Sequence, residues 1–559
     1  MQTDIKRNIL WVVLLTSLFF LWDNWMVANG HTSFFAPPPK PKPPVAASLR
    51  NDLPPGAATA AAGAAPGAIP ASAPAQAPAP VFKREVISIA SDVIKLDVDT
   101  EGGQMTRLEL LKYRDGIDKN KNQLLFHVND KNTYVMQSGL TGPAINGLPL
   151  PSHKSGFQVR PGERTLAAGR NELQLVLEAE QGGVKLIKTY TLRRGDYKIG
   201  VRHEIVNNSG APATPQLYMQ FLHDGNKPPG DTFFMSSYTG PSVYTNEEHF
   251  QKLEFSDVEN GKAKHAKSSD NGWIALVQHY FVAAFLPPEK IKRDIYTKKV
   301  DTNLYSLGYS FNPGVMANNS NYKLDVNLLA GPQETQMLTQ TAVGLDRVKD
   351  YGILHVFAEP LFWMMELLHK LIGNWGWTIV VLTVIIKMAL FPLSAASMRS
   401  MAKMKVVTPK MQAINERYKD DPAKKNQAMM ELYKSEKINP LGGCLPILIQ
   451  MPIFLALYWV LHASVEIRNA PWIGWITDLA APDPWYVLPA IYAVSMYITT
   501  KLNPAPADPM QAKMMLWMPL IFSVMFFFFP SGLVLYWVVN NIMSIGQQWV
   551  INRQLEGKK

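Results

Sequence analysis

Apolar residues dominate Ile9–Trp22, alternate with polar ones through much of 81–345, and then recur at helical spacing. Each pattern predicts a different environment. Lys6 and Arg7 precede the first run and keep that flank cytoplasmic, so 1–30 reads as a transmembrane signal anchor. The bulky flank Trp22-Asp23-Asn24-Trp25 argues against the alternative of a cleaved signal peptide. Residues 31–80 are Pro- and Ala-rich, with PPPKPKPP at 37–44, and form an extended spacer. In the next region Ile94, Leu96 and Val98 alternate with Lys95, Asp97 and Asp99. Leu186–Tyr190 leads through Arg193-Arg194-Gly195-Asp196 to Tyr197, Ile199 and Val201, which predicts strand, turn and strand. Trp273–Leu286, closed by Pro287-Pro288, predicts a strand pair or one long buried strand. Many short strands without interleaved helices predict a large antiparallel β-sandwich over 81–345, exported because it follows one N-in span.

Over 351–372 the period becomes helical. His355, Glu359, Glu366 and Lys370 share one stripe, and Pro360 is expected to kink or restart the helix. An amphipathic helix along the outer leaflet fits this pattern. The second span, 373–395, contains WGWTIVVLTVIIKMALFP at 375–392, with one charge, Lys387. A mid-bilayer lysine costs roughly 2.5–3.5 kcal/mol, so it either snorkels toward the cytoplasm or faces protein or water and serves a function. Residues 396–440 are rich in Lys and Arg and therefore cytoplasmic; the turn signal Lys419-Asp420-Asp421-Pro422 makes them a helical hairpin. The hairpin methionines, among them Met398, Met411, Met429 and Met430, are read as an adaptable docking face. Residues 441–552 hold spans three to six, Leu445–His462, Trp485–Thr500, Met514–Phe529 and Leu533–Val550, before the basic cytoplasmic tail 553–559. The expected fold is thus a polytopic α-helical membrane protein with six transmembrane helices and both termini inside. Several spans are short, which predicts locally thinned lipid.

Charge and chemistry narrow the function. The net charge of +10 is spread over linkers and membrane-flanking loops and not over an aromatic-studded patch, so no nucleic-acid readout is expected. The single cysteine, Cys444, excludes a disulfide framework or a Cys-based zinc site. His127, His153, His203, His223, His249, His265 and His279 are scattered, with neither a metal pair nor a nucleophile elbow, and His223-Asp224 is expected in a solvated loop. The string GxxxxGK[ST] is absent, so no cofactor, nucleotide or metal is expected, nor covalent chemistry.

Three strings are more specific: NPLGGCLPILIQMPIFLALYW at 439–459, DPMQAKMMLWMPLIF at 508–522 and FPSGLVLYWVVNN at 529–541. With the signal anchor, the exported β-domain and the lysine-bearing second span in this order, the chain closely resembles the YidC/Oxa/Albino family of membrane protein insertases, in its Gram-negative form. The resemblance implies a galactose-mutarotase-like exported sandwich, not itself required for insertion, and a hydrophilic groove closed on the exported side. It implies that Lys387 carries the groove's positive charge, where Arg is familiar; Lys keeps the charge without the guanidinium fork. Thr383 and Trp537 match substrate-contacting positions, Trp537 following Tyr536 where a Tyr-Tyr pair is familiar. Gln450 and Asn540 are added as groove lining, with interhelical hydrogen bonding as their alternative. The implied partners are nascent inner-membrane proteins, membrane lipids, the Sec translocon, the ribosome and the signal-recognition pathway. A secondary transporter of a small anion and a membrane-anchored glycan-binding or glycan-processing protein are the alternatives from other classes.

Overall fold

The computed structural model describes residues 53–54, 82–116, 118–226, 238–418, 421–436, 445–502, 514, 517, 521 and 523–556. The signal anchor, most of the spacer, the loop before the fifth span and most of that span lie outside these residues. Leu53–Lys299 and Asn303–Lys559 form one unit; Val300–Thr302 belong to a second, otherwise undescribed one.

Two antiparallel sheets, of ten and nine strands, face each other across one apolar core. Period-two patterning accounts for the strands with one face in the core. In Ile94–Asp99, Ile94, Leu96 and Val98 are buried while Lys95 is exposed. Val184–Arg193 and Lys198–Asn207 pair antiparallel with one face inward, and Gly195 takes the left-handed φ of 69° that their turn requires. Trp273–Val277 and Phe281–Leu286 pair as a hairpin and are buried almost throughout, which explains their unbroken apolar run. His223 and Asp224 correct the loop expectation. They end the strand Gln216–Asp224, only 4% and 8% exposed, and the Asp224 carboxylate accepts the Thr133 N–H at 2.6 Å. Lys188, at an inward position, spans the core and donates to the Gly102 and Ser138 carbonyls at 2.6 and 2.7 Å.

Among the described residues seven longer helices follow: α1 His355–Ile372, α2 Trp375–Ala389, α3 Phe391–Arg417, α4 Pro422–Ser435, α5 Leu445–Ala463, α6 Val487–Leu502 and α7 Ser531–Glu556. Pro360 neither kinks nor restarts the chain's path enough to end α1, which stays one helix. One lost hydrogen bond is tolerated there because the carbonyl it would have used belongs to Val356, 76% exposed and free to tilt outward. The interruption falls instead at Leu390, inside the expected second span, with Pro392 in the first turn of α3 where its missing N–H is not needed. The two helices are bent by 62° there. As a result α3 runs across the expected border between span and hairpin. Residues 419–420 of the expected turn lie outside the described residues; beyond them Asp421 caps α4 by accepting the Lys424 N–H at 3.1 Å. Its methionines do not form one exposed face, since Met411 is buried and Met430 is 57% exposed. Among the described residues no single helix is long and apolar enough to cross a membrane; α2 with Phe391–Arg399 passes only as a bent pair.

The loop after α5 joins sandwich to bundle. Val465 is buried in the sandwich core. Glu466 accepts from Lys349 Nζ at 2.9 and 3.0 Å and from the Thr335 N–H at 3.2 Å. Arg468 donates to the Arg114 carbonyl and to Gln123 Oε1, its guanidinium lying over Tyr280 and Phe281. His279, in the turn of the buried hairpin, donates to the His462 carbonyl in the last turn of α5 at 2.7 Å. Burial pulls the Lys349 ammonium below its ordinary value in spite of Glu466, so the pair is a costly one held for its geometry.

Candidate functional site

Lys387 sits in the last turn of α2 and is only 3% exposed. Its Nζ donates to Ser544 Oγ of α7 at 2.8 Å, and Ser544 in turn donates to the Asn540 carbonyl at 2.8 Å. No carboxylate lies within 4 Å of it among the described residues. The helices that hold it are apolar on their contact faces: Ile379, Leu382, Leu457, Val460, Leu533 and Tyr536 belong to one buried cluster. A buried ammonium served by a hydroxyl retains capacity for an incoming acceptor, because it carries three donors.

Thr383, one turn before Lys387, is buried, and its hydroxyl is spent on the Ile379 carbonyl of its own helix at 2.7 Å. Tyr536 and Trp537 lie one turn before Asn540. The Trp537 ring packs 4.7 Å from Phe454, 6.0 Å from Phe526 and 6.1 Å from Tyr492, and its Nε1 is buried with no hydrogen-bond partner among the described residues. Gln450 is half-buried on α5 and takes no part in the Lys387–Ser544–Asn540 chain. Sequence reading singled out Lys387, Tyr536, Trp537 and Asn540 but passed over Ser544, the partner of Lys387, and the polar residues Asn541, Gln547 and Gln548 that follow on the same helix. Their signal was present as Asn540-Asn541, Ser544 and Gln547-Gln548, polar pairs at steps of three and four on an otherwise apolar helix.

A two-sheet sandwich clamped to a bundle of apolar helices, one of which buries Lys387 in its last turn, defines a protein with a large folded domain beside a helical bundle. Known proteins narrow this. Residues 86–364 match the family model of the YidC periplasmic domain, and residues 367–558 that of the 60Kd inner membrane protein. Two curated relatives, both named membrane protein insertase YidC, are each 51% identical. That of Janthinobacterium sp. (strain Marseille) is matched over 99% of both chains. That of Herminiimonas arsenicoxydans is matched over 100% of this chain and 99% of its own. The chain belongs to the YidC family of membrane protein insertases. Among solved structures, an active YidC insertase covers 83% of this chain and 92% of its own, at 19% identity and a TM-score of 0.39. A galactose mutarotase related enzyme from Lactobacillus acidophilus covers 44% of this chain and 97% of its own, at 8% identity and a TM-score of 0.31.

Proposed function

We propose that this chain inserts inner-membrane proteins by offering a polar, positively charged notch part-way into the bilayer, with the sandwich on the periplasmic side and the hairpin α3–α4 in the cytoplasm. The observation that carries this reading is Lys387, buried among apolar helices with Ser544 and, among the described residues, no carboxylate as its partner. A transporter of a small anion would use the same lysine, but the sequence shows no internal repeat in corresponding halves of the kind such folds carry. The passenger's acidic residues pair transiently with the ammonium while its apolar segment moves past Tyr536 and Trp537 into lipid. Membrane potential, positive outside, adds roughly 2.3 kcal/mol per negative charge per 100 mV. The hydrocarbon path is short: α2 has 15 residues, about 22 Å at 1.5 Å per residue against a core of about 30 Å. On α1, Val356, Trp363 and Leu371 are 76%, 64% and 80% exposed, a face suited to lying along the outer leaflet. The Sec translocon, the ribosome and the signal-recognition pathway are assigned to the hairpin and tail, and insertion makes or breaks no covalent bond.

The test uses a single-span passenger with an acidic exported tail. Lys387→Ala and Lys387→Glu should block its insertion while Lys387→Arg supports it, read by protease protection of the tail. Normal insertion by the Lys387→Glu protein would end the pairing mechanism.

A further inference from the structure

One turn beyond Ser544, Gln547 is 8% exposed, and both its Oε1 and its Nε2 are buried without a hydrogen-bond partner among the described residues. It is set apart from its neighbours. Asn541 donates to Ser495 Oγ at 3.1 Å and Gln548 to the Leu502 carbonyl at 3.3 Å, so both spend their amides on α6. Gln547 lies about 100° around the helix from Gln548. At about 100° per residue, Asn540, Ser544 and Gln547 fall within roughly 60° of one another around α7, the arc that meets Lys387. An orphaned carboxamide in a packed bundle lowers stability, since its donor and acceptor lose water and gain nothing.

A primary carboxamide has the complement of a peptide group: its N–H donates to a carbonyl while its oxygen accepts an N–H. It cannot discriminate side chains. Resting on the insertion reading above, we propose that Gln547 is a docking group for the main chain of an extended passenger segment, which it holds beside Lys387 whatever the passenger's sequence. Lys387 then selects on charge, and Gln547 supplies grip common to all passengers. In the proposed topology Gln547 lies on the cytoplasmic side of Ser544, so an arriving segment meets it first.

The experiment compares two single-span passengers that differ only in an acidic or a neutral exported tail, inserted by full-length wild type, Gln547→Met, Gln547→Asn and Lys387→Glu. Losing one reciprocal amide pair should slow Gln547→Met about fivefold for both tails alike. Gln547→Asn, which keeps the amide, should restore part of the rate. Removing an unsatisfied buried group should at the same time raise the Tm of Gln547→Met, a combination that a packing role does not produce. Wild-type rates with both tails, a loss confined to the acidic tail, or a fall in Tm alongside the loss would each overturn the assignment. Lys387→Glu separates the two readings: if it still blocks the acidic tail while Gln547→Met does nothing, docking fails and the charged notch stands. If Lys387→Glu inserts the acidic tail normally, the notch itself fails.

Discussion

Replacing Lys349 by Met tests how firmly sandwich and bundle are joined. The Lys349 side chain is 2% exposed and its ammonium touches both Glu466 oxygens, Thr335 Oγ1 at 2.8 Å and the Phe362 ring at 4.1 Å. Methionine keeps the stem and removes all of these polar contacts. Glu466, 15% exposed, then keeps only the Thr335 N–H among the described residues. Truncating one member of a buried pair costs about 3–5 kcal/mol, and the remaining bond and partial exposure place this case near ~3 kcal/mol. At 1.4 kcal/mol per decade, that raises the population of the opened loop roughly 150-fold. Hydrogen exchange of the full chain in lipid nanodiscs reads this directly at the Ile467 and Arg468 amides, which bond within the loop to the Ser464 and Val465 carbonyls. Removing both charges in Lys349→Met/Glu466→Leu should restore at least about tenfold of the lost protection, because neither partner is then stranded. A change of less than about threefold in the single variant, or a double variant less protected than either single one, would refute the reasoning.

Burial pulls Lys188 down to about 7, whereas in an unfolded chain lysine titrates near 10.4. Between those values the unfolded state holds the extra proton, so stability rises with pH at about 1.4 kcal/mol per unit. Lys188→Met should flatten the wild-type gain of about 2.5 kcal/mol between pH 7.5 and 9.5 in denaturant unfolding of the sandwich, and parallel slopes would contradict this. Gly102 has φ +78° and an added Cβ would sit 2.1 Å from the His153 carbonyl oxygen. Gly102→Ala should therefore destabilise by at least about 2 kcal/mol, measured in the same way. Asn541→Leu removes one interhelical bond, but Ser495 keeps its own bond to the Tyr492 carbonyl. The expected loss is about 0.6 kcal/mol, seen as a small fall in bundle melting temperature, with insertion close to wild type.

What could be read from the residues alone was local. Alternation placed the sandwich strands, Gly195 and Asp421 marked turns, and the length of the apolar runs set α2 and α5. Contacts distant in sequence were out of reach: Lys349 and Glu466 are 117 residues apart, and each reads singly as a loop charge. Lys188 occupied an inward strand position, but its acceptors belong to the opposite sheet. The two prolines show a subtler limit, since Pro360 and Pro392 have the same chemistry and only the packing decides which one ends a helix. At the candidate site the lone charge stood out in an apolar run, while Ser544 and Gln547 did not, because small polar residues are ordinary in helices until their partners are known.

The interruption at Leu390 has an electrical meaning. Ending α2 at Leu390, whose N–H closes onto the Ile386 carbonyl, puts Lys387 in the helix's last turn, where the macrodipole gathers roughly half an elementary negative charge. Peptide dipoles take up no proton and swing to no other partner. The cation is thereby steadied by scaffold that cannot compete with a passing acidic residue, as a neighbouring carboxylate would.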